Sequence, residues 1–272
     1  MKNIKYIFTL FILLSLASCE EVIDIDLDTA APRLVVEASI NWKTGTAGND
    51  QLIKLTTTTG YYNTEIPAAT GAVVFITNST NTQFDFTENP GTGQYVCTNF
   101  IPQTGETYTL TINYKSETYT AIEQLFATPV ITHTTQTDDG GFLGDNTEVR
   151  FFYQDDGSAT NFYMNSFNIP IIPYPDYDVN DDEFSQGNEM FGIFSDEDLK
   201  AGDVLDIKLY GISERYYNYM SKLLEVTDGS GGPFQTPPSI VRGNVVNQSN
   251  KDNYPLGYFR LGEVSSLQYT VQ

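Results

Sequence analysis

Cysteine, histidine and tryptophan are nearly missing from this chain: two, one and one among 272 residues. Two cysteines cannot form the disulfide framework of a small secreted scaffold. One histidine with so few thiols cannot supply the ligand set of a zinc centre. A Ser-His-Asp triad would have to use His133, which lies in a strand-like run, and no G-x-S-x-G stretch is present to offer a serine. Basic residues are also scarce, 14 Lys and Arg against 35 Asp and Glu, for a formal net charge of −21. Such a surface repels phosphate backbones and anionic headgroups, which excludes nucleic-acid binding. Long apolar runs are absent too. The longest, Tyr6–Leu16, is well short of the roughly 20 residues a spanning helix needs.

That short run follows Lys2 and Lys5, the charged start and apolar middle of a secretory signal. It ends in Leu16-Ala17-Ser18-Cys19, which resembles a bacterial lipobox. The resemblance implies cleavage before Cys19 and lipidation of that residue, with more than one acyl chain holding the protein on a membrane. Lys2 and Lys5 leave with the leader, so the formal charge moves from −21 to about −23. Cys97 is then left without a disulfide partner and reads as a buried, inert thiol. Residues 1–18 are thus a signal peptide and 19–32 an acidic tether, "CEEVIDIDLDTAAP".

The rest is rich in Thr, Tyr, Phe, Val and Ile, residues that suit pleated, half-buried surfaces. Alternating runs come at short spacing from 33 to 125, divided by turns such as "NPGTG" at 89–93. In "ETYTLTINY", Tyr108, Leu110 and Ile112 fall on one face and Thr107, Thr109 and Thr111 on the other. Pro129 breaks the pattern. Further strands follow at 130–137, 147–155, 159–169 and 203–212, with an irregular acidic stretch at 170–200 and a closing strand pair in "PLGYFRLGEVSSLQYTV". One helix stands out at 213–227, capped by Ser213, with Tyr216, Tyr219, Met220, Leu223 and Leu224 on a single stripe. The expected fold is all-β: two β-sandwich (immunoglobulin-like) domains in series, at 33–127 and 128–272, with one amphipathic helix in the second.

Loops carry most binding groups. Tyr174 and Tyr177, among prolines in the acidic stretch, and Phe234 in the stiff "GGPFQTPP" segment are the candidate binding residues. Asp176 and Asp178, with Asp181 and Asp182, suggest a calcium loop, but the EF-hand pattern fails, because its glycine position holds Asp181 and its final glutamate position holds Gly187. No metal and no cofactor is expected, and no catalytic residue is assigned.

Several stretches together resemble one family: "CEEVIDIDL", "PRLVVEASI", "GQYVCTNFIPQTGETYTLTI", "LYGISERYYNYMSKLL", "GGPFQTPPSI" and "YPLGYFRLGEVS". They are similar to lipoproteins of the domain of unknown function 4249 from Bacteroidetes-type bacteria. One departure is Ala38, where a glycine is expected. Members sit in gene neighbourhoods with TonB-dependent outer-membrane receptors. The resemblance therefore implies a non-enzymatic outer-membrane lipoprotein, an accessory or substrate-binding partner of such a receptor in nutrient uptake. The alternative is a structural or adhesive cell-surface protein. Glu20 and Glu21, directly after Cys19, resemble export signals of surface lipoproteins and point outward.

If Cys19 carries the anchor, Cys19→Ala moves the protein from the membrane pellet to the soluble fraction on cell fractionation. A variant that pellets as firmly as its parent would sink the lipid anchor.

Overall fold

The alternation seen in the sequence becomes a run of seven strands: β1 (Leu34–Lys43), β2 (Gln51–Thr57), β3 (Val73–Asn78), β4 (Gln83–Asn89), β5 (Gln94–Cys97), β6 (Thr107–Tyr114) and β7 (Glu117–Phe126). The computed structural model describes residues 31–141, 143–227 and 240–272. In β6, Tyr108, Leu110 and Ile112 are fully buried, while the intervening threonines face outward. Each such side chain stabilises the fold by roughly 1.5–3 kcal/mol when it leaves water, so one face is fixed inward. Cys97 is buried in the same core, and burial pushes its thiol pKa up.

The second half contributes β8 (Ile131–Gly140), β9 (Asn146–Gln154), β10 (Phe162–Asn168), β11 (Asp176–Asp181), β12 (Glu189–Ser195), β13 (Val204–Ile212), the helix α1 (Glu214–Thr227), β14 (Val246–Asn247) and β15 (Leu256–Thr270). β15 does not stay with its sequence neighbours. It pairs in parallel with β1 over nine residue pairs, from Val35↔Leu256 to Lys43↔Val264. Its other edge is shared: β7 takes Leu261 and Gly262, and β13 takes Val264 to Thr270. The order β15-β1-β2-β5-β4-β3-β6-β7 thereby closes on itself as an eight-stranded barrel. Phe259 and Leu261 of β15 complete the barrel core.

Two separate sandwiches in series are therefore not what forms. The physical reason is the parallel return of the last strand into the first sheet, a pairing that alternation cannot reveal. The closing "strand pair" is likewise one continuous strand. Gly262 is a point of close approach and not a turn. A Cβ on Gly262 would lie 2.3 Å from the Gly211 carbonyl oxygen, and one on Gly211 would lie 1.8 Å from that of Ala127. Two glycines thus let β7 and β13 meet on the same edge of β15. The acidic stretch at 170–200 also differs from expectation, since it contains β11 and β12.

Beyond the barrel, β15 continues into the sheet β11-β10-β13-β15. One face of that sheet packs against the three-stranded sheet β12-β9-β8 through Phe151, Tyr153, Phe167, Phe194, Ile207 and Leu209. The opposite face is covered by α1 through Met164, Tyr210, Ile212, Tyr216, Met220 and Tyr258.

Overpacking a close backbone contact costs about 1–3 kcal/mol or more. Gly211→Ala is therefore expected to lower the melting temperature by several degrees. An unchanged melt would mean that the handover on β15 tolerates a side chain and is not the tight junction described.

Candidate functional site

The helix is capped as its sequence suggests. The Tyr216 amide donates to Ser213 Oγ at 3.1 Å, and Ser213 Oγ donates in turn to Glu123 Oε2 at 3.1 Å. Tyr216 and Met220 bury the apolar stripe. The other face carries Arg215, Asn218, Tyr219 and Lys222, spaced i, i+3, i+4, i+7, so these four line one side of the helix.

Opposite that face runs the segment 240–245, held by the buried side chains of Asn244 and Val245, the latter in the barrel core. Asn244 Nδ2 donates to the Phe259 carbonyl at 2.7 Å, and the Phe259 amide donates to Asn244 Oδ1 at 2.9 Å. The amide thus takes the place of a strand partner for β15. It pairs the buried Phe259 amide and carbonyl, each of which would otherwise cost about 1–3 kcal/mol. Arg242 projects from this segment. Its guanidinium carbon lies 3.7 Å from the Tyr254 ring centroid, as does that of Arg33. Two guanidinium groups at that distance can only occupy opposite faces, so Tyr254 is sandwiched between them. Arg33 is fixed further by Nη1 donating to the carbonyls of Asp252 and Tyr254.

Between α1 and this segment lies a cleft of about 590 Å³, within the usual range for ligand pockets. Arg215, Lys222 and Arg242 line it together with Asn218, Tyr219 and Tyr258. Tyr219 and Tyr258 form an aromatic floor with Tyr216 packed behind them, the three centroids 4.8–5.9 Å apart. Arg260, 6% exposed, stacks on Tyr210 and Tyr216 at 4.8 and 5.4 Å. Its Nη2 donates to Asn41 Oδ1, whereas Nε and Nη1 have no hydrogen-bond partner among the described residues. On the far side of Asn218 and Glu214, a cleft of about 300 Å³ has the opposite sign, with Asp181 and Glu183 beside Phe162 and Tyr217.

Glu123 is half-buried beneath the helix start, where it accepts from Ser213 and from Tyr258 Oη at 3.3 Å. Burial raises its pKa, against hydrogen bonds from the Gln124 amide, Ser213 and Tyr258 and the nearby Arg215 charge, all of which lower it.

The sequence candidates do not converge on this cleft. Tyr174 is 80% exposed in the turn before β11. Tyr177 is 37% exposed on β11 itself, paired with Ser166, so it sits on a strand and not in a loop. Phe234 and Cys19 lie outside the described residues. Strand alternation sends Asp176 and Asp178 to the face opposite Asp181, and Asp182 is buried, accepting from the Asn161 amide. Among the described residues no group of three or more Asp, Glu, His or Cys could hold a metal ion. His133 lies on β8, stacked on Phe152 at 4.4 Å. Arg215 and Lys222 were detectable as a polar helix face at a spacing of seven. Arg242 carried no such signal.

The raised pKa of Glu123 gives a test with a definite sign. A native state that binds the proton more tightly than the unfolded chain loses relative stability as pH rises from the unfolded pKa through the folded one. Glu123→Gln is therefore expected to melt a few degrees above the parent at pH 7, and the gain should vanish near pH 4. A variant that loses more stability at pH 7 than at pH 4 would show that the carboxylate itself is stabilising.

A family model described as "Domain of unknown function (DUF4249)" matches residues 20–268. No match is found among curated proteins. Among solved structures, a two fibronectin type-III domain segment from chicken tenascin matches at 10% identity over 68% of this chain and 89% of that one, with a TM-score of 0.22. The family match covers nearly the whole sequence, and the protein belongs to the family of the domain of unknown function 4249.

Proposed function

We propose that this chain is a non-enzymatic, lipid-anchored protein of the outer membrane. In this reading it is an accessory or substrate-binding partner of a TonB-dependent receptor in nutrient uptake. The observation that carries the proposal is the open cleft beside α1. Its lining offers guanidinium, ammonium, amide and phenol donors on an aromatic floor, groups that hold a ligand. A binding role also suits the support beneath it. Asn244 and the helix cap fix the two walls from a rigid β-scaffold, so little ordering entropy is lost when something docks. The lipobox-like Leu16–Cys19 supports the attachment, and the resemblance to lipoproteins found beside TonB-dependent receptors supports the partner.

The test is capture of the full lipidated chain from detergent-solubilised outer membrane, followed by identification of what comes with it. A TonB-dependent receptor in near-stoichiometric amount is expected. Recovery of the chain alone, or with adhesive surface polymers only, would replace this reading with a structural or adhesive one.

A further inference from the structure

The distribution of positive charge is at odds with the composition. Twelve Lys and Arg lie beyond the leader, in a chain with 35 acidic residues. Of these twelve, only Lys54, Arg150 and Lys200 make an ion pair among the described residues, with Glu37, Glu148 and Asp198. The other nine bases make none, and three of these, Arg215, Lys222 and Arg242, line one cleft. A smaller recess of about 270 Å³ continues past Arg242 and adds Lys251.

Three further observations point the same way. The Arg242 guanidinium carbon lies 3.7 Å from the Tyr254 ring centroid, and among the described residues its N–H groups make no hydrogen bond. A pre-set planar fork matches the two oxygens of a carboxylate or phosphate. Arg260 adds a buried charge, with no carboxylate partner among the described residues, behind Tyr216. A charge in such surroundings is screened less than one in water. Finally, few acids face the cleft. Glu214 is the single carboxylate in its lining, Asp181 and Glu183 line the separate cleft across Asn218, and Glu123 lies beneath the helix start, tied to Ser213 and Tyr258.

We propose that the cleft is an oxyanion-binding site. It takes the carboxylate or phosphate groups of a multiply charged ligand, with Arg215, Lys222 and Arg242 as the charge partners and Asn218 as a neutral donor. The assignment deepens the reading of the chain as a binding protein, but its test needs no receptor, so the two can fail separately.

The purified full chain would be titrated calorimetrically at 0.15 M salt, where a Debye length of about 8 Å screens the remote acids. Four probes separate the sources of the oxyanion: trigalacturonate for carboxylates on a glycan, pyrophosphate for free phosphate, phosphatidylglycerol vesicles for a lipid headgroup, and neutral maltotriose as the control. At least one anionic probe should bind and maltotriose should not. Arg215→Gln with Arg242→Gln, both at exposed positions, should weaken that binding at least tenfold with little change in melting temperature. Lys54→Gln on the barrel should leave it unchanged. The proposal is overturned if no anionic probe binds, if maltotriose binds equally well, or if the double variant binds as the parent does.

Discussion

The parallel pairing of β1 with β15 is the constraint on which the rest of the structure depends. It joins strands some 220 residues apart over nine residue pairs. Without it β1 would be a sheet edge and the barrel would stay open. β15 would also lose the anchor that carries the second sheet, and α1 would have no platform. The burial pattern of β15 reflects this position. Tyr258 to Gly262 are all buried, with Phe259 and Leu261 entering the barrel core and Tyr258 facing the helix. A strand covered on both faces reads as a continuous apolar run, and within Tyr258–Gly262 the exceptions are Arg260 and Gly262. Both have positional reasons: Gly262 admits β13, and Arg260 sits between aromatic rings under α1.

The acidic composition acquires structural meaning from where the acids fall. β11 is an edge strand of the twelve-stranded sheet and carries Asp176, Asp178 and Asp181. Charges on an exposed edge oppose pairing with a second chain, and nothing about that role requires calcium. The stretch is acidic because it is an edge, and its alternation disperses the carboxylates over both faces. Against this excess of acid, the cleft beside α1 gathers three of the twelve bases beyond the leader, Arg215, Lys222 and Arg242.

The cleft is also a consequence of the shared strand. One wall is α1, seated on the outer face of β10, β13 and β15. The other is the segment around Arg242, pinned to the backbone of β15 by the Asn244 amide. Both walls therefore take their position from one strand, and Tyr254 ties the second wall to Arg33 at the start of the barrel. The site is distant in sequence but local in space.

Much of the secondary structure was determined by the sequence alone, for a simple reason. A period of two with one apolar face specifies a strand and its inward side, as in β6. A stripe at i, i+3, i+4 with a serine before it specifies α1 and its cap. β11 was obscured because it carries too few apolar residues to show a period, and β12 because its apolar residues fall on both faces, Met190 and Phe194 buried but Phe191 and Ile193 exposed. Half of the helix-borne cleft face, Arg215 and Lys222, was present in the spacing of a polar face. Tertiary structure alone decided the barrel, the unbroken β15 and the placement of Arg242. Each depends on a contact between residues far apart in the chain, and a periodic pattern states which face is buried but not which strand lies beside it.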